Sequence, residues 1–360
     1  MSGKPRVLVA MSGGVDSAVA AALLHRQGYE VAGVTLRLYT EADETALRSR
    51  RTCCGVEDVA DARAAAQRIG IPHYVLNMER EFERDVIDYF VDEYARGRTP
   101  NPCLACNERV KFATLLERAL AMGFDFLATG HYARIQSRGG RRRLLAAVDD
   151  QKDQSYVLYT LDQEALAHTL FPLGELAKPE TRRIAADLEL PVAGKPDSVD
   201  ICFVPRGDYR SLLRDRGVEM RPGLIVTSAG AVVGEHAGAT GYTVGQRRGL
   251  GLAGPERHFV TAVDADANVV VVGAEDELGR RALRASAPRW VAGAPEAGDA
   301  LHARIRYHAR PAEATVTALD ADSFRLEFEF SVRAIAPGQA VVLYRGDEVV
   351  GGGTIEPPDR

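Results

Sequence analysis

The sequence predicts an α/β protein that begins with a doubly wound parallel sheet and continues through a small mostly-β middle domain to a C-terminal β-barrel. Three observations lead there. Apolar runs alternate with helical stretches up to about residue 132, the order of repeated strand–helix units. A Gly13-Gly14 turn joins the first strand to the first helix. Beyond about residue 222 the helical periods give way to short alternating strands bounded by Gly and Asp/Asn turns. The expected domains are 1–210, 211–283 and 284–360, a length of 360 residues suiting two or three of them.

Residues 7–11 form a bounded apolar run rich enough in valine for a buried strand. Asp16 or Ser17 can cap a helix over 17–27, whose Ala and Leu positions suit packing on a sheet. Between strand and helix, Gly13 and Gly14 let the chain turn tightly and aim N–H groups outward. A helix N-terminus beneath such a turn attracts phosphate through its free N–H groups and its dipole. An ordinary strand–helix corner needs only the glycines.

A strand at 31–36 completes a right-handed βαβ start. Residues 40–52 are polar and charged, as in a loop, and the adjacent Cys53 and Cys54 chelate poorly, so packing explains them. A helix over 59–68, a strand over 73–76 and a helix over 81–96 follow, the last with Phe82, Val86, Phe90 and Tyr94 along one face. Pro100 and Pro102 argue for an extended turn through 97–102, ahead of a helix over 110–122. The strand 124–128 then runs into Thr129-Gly130-His131-Tyr132.

Residues 133–149 have the pattern of a hairpin with an arginine-rich tip at 137–143. Helices are expected over 155–160, 163–170 and 180–188, and a loop-rich stretch with Cys202 over 191–210. Strands at 223–226, 232–235, 258–264 and 269–273 belong to the middle domain, and 300–307, 313–319, 323–330 and 339–344 to the barrel. No internal repeat has a fixed period.

With 46% hydrophobic and 26% charged residues, the composition is that of an ordinary globular protein. The start lacks a signal-peptide h-region and no apolar run reaches membrane-span length, so the cytoplasm is the expected compartment, with no membrane partner. A net charge of −5 carries no global nucleic-acid signature; such binding must use local basic surfaces. Five cysteines, two adjacent and two spaced CxxC, suggest thiol chemistry or a metal rather than a secreted disulfide framework. Cys106 is expected just ahead of a helix, where a thiolate is stabilised. Cys202, taken alone, suits a buried hydrophobe. Cys103 and Cys106 make half a zinc site without a second pair.

The string Ser12-Gly13-Gly14-Val15-Asp16-Ser17 resembles the pyrophosphate loop of ATP pyrophosphatases, which cleave ATP between the α- and β-phosphates and adenylate a substrate oxygen. It is neither a Walker loop nor GxGxxG. With it occur Arg98-Thr-Pro-Asn-Pro-Cys-Leu-Ala-Cys-Asn-Glu-Arg-Val-Lys-Phe112, Thr129-Gly-His-Tyr132, Lys152-Asp-Gln-Ser-Tyr156, Asp200-Ile-Cys-Phe203 and Gly241-Tyr-Thr-Val-Gly-Gln-Arg-Arg-Gly-Leu-Gly251. In that order, over nearly the whole chain, they resemble the tRNA-specific 2-thiouridylases. The resemblance implies a sheet of the adenine-nucleotide α-hydrolase type and an ATP-dependent exchange of the carbon-2 oxygen of the wobble uridine for sulfur, in tRNAs for Lys, Glu and Gln. ATP and Mg²⁺ are the implied cofactors; the implied partners are tRNA and a sulfur donor such as a cysteine desulfurase or relay protein.

Carried onto this chain, the resemblance makes Cys202 the persulfide carrier and Cys106 its partner nucleophile. One position departs: where the best-known form of the family has an Asp, this chain has Cys103. A thiol substitutes poorly for a carboxylate in proton transfer. The change creates CxxC plus a distant cysteine, similar to thiolases that hold a 4Fe-4S cluster on three thiolates, here Cys103, Cys106 and Cys202, with one iron open for sulfide. Both routes stay open at this point.

ATP is expected at Ala10, Met11, Ser12, Gly13, Gly14, Val15, Asp16 and Ser17, with Leu36 against adenine (or a plain core leucine) and Gly130 letting backbone approach. The resemblance places tRNA contacts at His131, Lys152, Asp153, Gln154, Arg306, Tyr307 and Gln339. Arg304, Arg306, His308 and Arg310 are expected to share one face of a barrel strand. Loop 191–210 is expected to order on tRNA binding, since Cys202 must close over a large substrate. The rival readings are an amide-forming synthetase with the same loop and a non-catalytic iron–sulfur RNA-binding protein. Neither needs both the loop and the spaced cysteines.

Overall fold

The computed structural model describes residues 3–39, 56–197, 201–204, 208–252 and 257–358. Cys53 and Cys54 and the loop expected at 40–52 lie outside the described residues. The chain divides into two compact units: Met1–Ile87, Cys103–Asp208 and Asp347–Val349 form one, and Asp88–Pro102, Tyr209–Gly346 and Val350–Arg360 the other.

The first unit opens with β1 (Arg6–Ala10), α1 (Val15–Arg26), β2 (Glu30–Arg37), α2 (Val56–Ile69) and β3 (His73–Asn77). β4 (Phe126–Thr129), the hairpin β5 (Ala133–Arg138) with β6 (Arg141–Ala146), and β7 (Thr169–Leu170) follow, then α3 (Lys178–Asp187). The sheet order is β3-β2-β1-β4-β7, every pair parallel. The doubly wound expectation therefore holds, with β1 central and Val7, Leu8 and Val9 buried on both faces. α1 is buried almost all round, and its alanines join a core cluster with Ala62, Ala65 and Ala66 of α2 and Ala185 of α3. Small side chains let the helices come close without voids.

Three helices differ from expectation. Residues 81–96 are helical but in three pieces, Glu79–Phe82, a π-wound Glu83–Asp88, and Tyr89–Ala95. The helix expected at 110–122 begins at Pro102 and runs through Pro102–Ala105, the π-wound Cys106–Leu115 and Leu116–Ala121. Proline lacks only an N–H that the first helical residue leaves unpaired anyway, so Pro102 starts this helix instead of forbidding it. The helix expected over 163–170 stops at Ala167, and Thr169–Leu170 pairs with β4 as the sheet's last strand.

In the second unit β8 (Gly223–Thr227), β9 (Val232–His236), β10 (Phe259–Asp264) and β11 (Val269–Gly273) form a sheet of order β10-β11-β8-β9. The barrel consists of β12 (Gly279–Trp290), β13 (Ala300–Arg304), β14 (Ala312–Leu319), β15 (Ser323–Arg333), β16 (Ala340–Arg345) and β17 (Glu348–Ile355). Neighbours run β12-β15-β14-β13-β16-β17, and β17 returns to β12, closing the barrel around Leu301, Val316, Phe324, Leu326, Val341 and Leu343. β12 carries Pro288 at a break in its register with β17, beside Ala287 at a φ of 49°. A bulge is where a strand tolerates proline. In β17 a Cβ on Gly351 would lie 2.2 Å from the Arg289 carbonyl oxygen, so only glycine lets these two strands meet.

The stretch Asp88–Pro102 is stitched into this second unit. Thr99 N–H donates to the Pro337 carbonyl at 2.8 Å, and Arg98 bridges Glu93 at 2.8 Å and Glu356 at 3.3 Å. β13 ends at Arg304, whose guanidinium lies 4.8 Å over the Tyr344 ring. Residues 305–308 bend and turn, so Arg304, Arg306, His308 and Arg310 do not alternate along one strand, contrary to expectation.

Candidate phosphate and sulfur-transfer site

The chain leaves β1 pinned to β2. Met11 N–H donates to the Val34 carbonyl at 2.7 Å, and the Met11 carbonyl accepts from the Thr35 hydroxyl at 2.7 Å. Helix α1 starts two residues earlier than expected, with Gly14 as its cap residue and no side-chain cap. Ser17 is used differently: its hydroxyl accepts from Ser12 N–H at 3.1 Å and donates to the Gly14 carbonyl at 3.2 Å, folding the loop back over the first turn. Gly13 has a φ of 70°, and a Cβ there would lie 2.4 Å from the Asp58 carbonyl oxygen. A Cβ on Gly130 would lie 2.7 Å from Ser17 N, so the exit of β4 rests directly on the start of α1. The N–H groups of that first turn have no partner within the helix. Leu36 is buried on β2.

Around the loop stands a set of charges that sequence reasoning missed. Lys178, first residue of α3, places its ammonium 2.7 Å from both Asp16 oxygens and 3.0 Å from Asp197. The Tyr132 hydroxyl donates to Asp16 at 2.9 Å, and burial, then the Asp16 charge, push that phenol far above its usual range. Lys195 donates to the Gly13 carbonyl at 3.0 Å, to Asp58 at 2.7 Å and to Asp61 at 2.6 Å. Burial lowers its pKa, but the two carboxylates outweigh that and raise it. Asp197 is also held by Lys152 at 2.8 Å and Arg182 at 2.7 Å. Burial raises the Asp197 pKa, yet its hydrogen bonds from Lys152 and Lys178 bring it down to about 2. One local signal was available: a lysine at a helix N-terminus opposes the dipole and needs another reason to be there.

Lys152 thus joins the charged set, while its neighbours act as scaffold. Asp153 is buried and accepts from Ala147 N–H at 3.0 Å and Ser155 N–H at 3.1 Å. Gln154 accepts from Tyr132 N–H at 2.9 Å and returns its own N–H to the Tyr132 carbonyl at 2.8 Å. His131 is 9% exposed, with its ring near Phe112 and Phe171 and Nδ1 2.7 Å from the Thr129 hydroxyl. Burial, and then the Lys111 charge, hold its pKa well below 6.5.

A pH dependence follows from His131. Below pH 6.5 the unfolded chain binds a proton that the folded imidazole refuses, so this contribution is complete above that pH and is lost as pH falls. Denaturant titrations should show this contribution falling by about 1.4 kcal/mol per pH unit below about pH 6, and His131→Gln should lessen the slope by that amount while His73 and His236, also lowered by burial, keep theirs.

The three cysteines lie in the first unit. Cys103 is exposed in the first helical turn, and Cys106 is half-buried one turn further in. Cys106 therefore lies inside the helix and not, as was expected, just ahead of its start. Cys202 is half-buried, and the buried Phe203 beside it meets Phe82 edge-on at 5.8 Å, which in turn meets Tyr39 at 5.5 Å. Of loop 191–210, residues 198–200 and 205–207 lie outside the described residues. Among the described residues no three of His, Cys, Asp or Glu gather as a metal site. No helix among the described residues is long and apolar enough to cross a membrane.

In the second unit an Arg306 guanidinium nitrogen donates to the Ala334 carbonyl, Tyr307 is half-buried against the His308 ring, and Gln339 donates to the Thr99 carbonyl at 2.8 Å.

Comparison with known proteins matches three family models: a tRNA methyl transferase HUP domain over residues 5–206, a tRNA methyl transferase PRC-barrel domain over 211–274, and an aminomethyltransferase beta-barrel domain over 280–355. A protein from Moorella thermoacetica named tRNA-specific 2-thiouridylase MnmA is 52% identical over 353 residues, covering 97% of this chain and 99% of its own. One of the same name from Carboxydothermus hydrogenoformans is 49% identical over 359 residues, covering 98% of each. With half its residues shared along almost its full length, the chain belongs to the tRNA-specific 2-thiouridylase family.

Proposed function

We propose that the protein uses ATP and a persulfide sulfur to turn the carbon-2 carbonyl of the wobble uridine into a thiocarbonyl, in tRNAs for Lys, Glu and Gln. The observation that carries this reading is that one compact unit holds both halves of the chemistry, a phosphate loop over a helix N-terminus and the pair Cys106 and Cys202. The curated relatives' name supports it.

A uridine carbonyl is a weak electrophile, and oxide is a poor leaving group. Residues 10–17 hold the ATP phosphates, chiefly on the N–H groups of the glycine turn and the first helical turn, with Leu36 and Gly130 bounding the nucleotide. The carbon-2 oxygen attacks the α-phosphorus, and pyrophosphate leaves with the electron pair of the broken P–O bond. Lys178 and Lys195 exchange their present carboxylate partners for phosphate oxygens and stabilise the charge that develops. Asp16 would be the loop's carboxylate toward a magnesium ion, which when bound would supply further neutralisation of phosphate charge.

Cys202 carries the incoming sulfur as a persulfide, loaded by a cysteine desulfurase or a relay protein. Its outer sulfur attacks carbon 2 and AMP leaves, which joins the base to Cys202 through a disulfide. The Cys106 thiolate then attacks the Cys202 sulfur, and the electron pair of the broken S–S bond passes to the uridine sulfur. The resulting Cys106–Cys202 disulfide is reopened by a thiol reductant. Lys152, Arg306, Tyr307 and Gln339 are proposed to contact tRNA, as is the exposed edge of His131, while Asp153 and Gln154 hold the backbone behind Lys152 and Tyr132. The wobble base must leave its stack to reach the loop.

The test is pyrophosphate release and 2-thiouridine formation, measured by mass spectrometry, with tRNA or free amino acids as acceptors. Release stimulated by tRNA and accompanied by thiolated uridine is expected. Release stimulated by an amino acid instead would make the protein an amide-forming synthetase. Iron and acid-labile sulfide in anaerobically purified, active protein would replace the persulfide route with the cluster route.

A further inference from the structure

The hairpin β5–β6 has no part in the chemistry above, yet it holds an unusual charge. Residues 133–147 contain five arginines and no acidic residue. Pairing places Arg138 opposite Arg141, Gln136 opposite Arg143 and Arg134 opposite Leu145, so four arginines share one face. The acids of the Asp347–Val349 strand end meet the base of that face: Arg134 bonds Asp347 at 2.5 Å and Arg143 bonds Glu348. Toward the tip Arg138 and Arg141, both exposed, stand directly across from one another. Arg142, on the opposite face, is tied back by the Ser137 hydroxyl at 2.5 Å and Gln163 at 2.9 Å, which fixes the turn. Like charges directly opposite are unfavourable in an isolated hairpin. Two exposed guanidiniums side by side suit an anion, and their planar forks match phosphate oxygens.

We infer that the tip of this hairpin is a contact for the tRNA phosphate backbone, with Arg138 and Arg141 as its two cations. The inference rests on the proposed function, because it takes tRNA as the polyanion. A chain of net charge −5 needs such local sites if it is to bind RNA at all. The contact lies outside the reacting atoms, so it governs tRNA affinity and not the chemical steps.

The experiment compares wild type with R138A/R141A and R138K/R141K in tRNA binding between 50 and 200 mM KCl and in thiolation kinetics. Losing two phosphate contacts should cut the slope of log affinity against log salt by about 1.5–2 and raise the KM for tRNA roughly tenfold near 0.1 M salt. The kcat at saturating tRNA and the KM for ATP should stay at wild-type values, and the lysine variant should recover most of the affinity. An unchanged slope and KM in protein whose wild type thiolates tRNA would overturn the hairpin contact alone. A wild type that neither binds nor thiolates tRNA would overturn the proposed function and this contact with it.

Discussion

Cys202→Ser is expected to lower tRNA thiolation by at least about a thousandfold, the scale on which removing a catalytic nucleophile acts. TRNA-stimulated pyrophosphate release should continue near the wild-type rate, because the phosphate loop and its lysines are untouched. The side chain is only half-buried and its anchor is the neighbouring Phe203 ring, so the smaller hydroxyl should leave the fold intact. Cys106→Ser should also stop turnover but at a different point. The persulfide still attacks, and the base stays joined to Cys202. A covalent protein–tRNA adduct, visible on a non-reducing gel and released by a thiol, should therefore accumulate in Cys106→Ser and never in Cys202→Ser. An equal adduct in both variants would overturn the assigned roles.

The second large effect is expected at Lys178. Replacing it with alanine should slow pyrophosphate release by about 10²–10³-fold, the range seen when one preorganised donor to a developing charge is lost. In the resting protein this ammonium lies between Asp16 and Asp197 and is nearly buried. Removing it leaves two carboxylates without their shared cation and should lower the melting temperature as well. Lys178→Arg separates the two effects: it keeps the charge and most of the stability, while its larger fork places the donors wrongly and leaves adenylation slow. Full activity in Lys178→Ala, measured as tRNA-stimulated pyrophosphate release, would remove this lysine from the mechanism.

The parts of the fold visible in the sequence were those written in local periodicity. β1, the glycine turn and α1 follow from a valine run, two glycines and an alanine-rich helix, and the parallel sheet follows from their repetition. Features whose cause lies elsewhere in the chain were hidden. β12 contains a proline and β17 three glycines, which locally argue against strands; both make sense only where each strand faces the other. Pro102 looked like a barrier because the residues it starts as a helix are ordered by later contacts, among them Asn107, whose amide donates to the Val157 carbonyl at 3.0 Å. Within the site, the loop was legible as a motif, but Lys178 and Lys195 reach it from more than 160 residues away in sequence, the latter contacting Gly13 across a separation of 182.

The closed barrel bears on how the protein comes into being on the ribosome. Its last strand, Glu348–Ile355, seals the seam with β12, and the adjoining Asp347–Val349 belongs to the nucleotide-binding unit. Until those residues have been synthesised, β12 and β16 each present an open edge, and Arg98, made long before, has no Glu356 to bridge. Neither unit can finish folding vectorially as it emerges. Nascent chains halted before residue 347 should be held by chaperones or aggregate through those edges, and the final consolidation of both units should follow the emergence of residues 347–356.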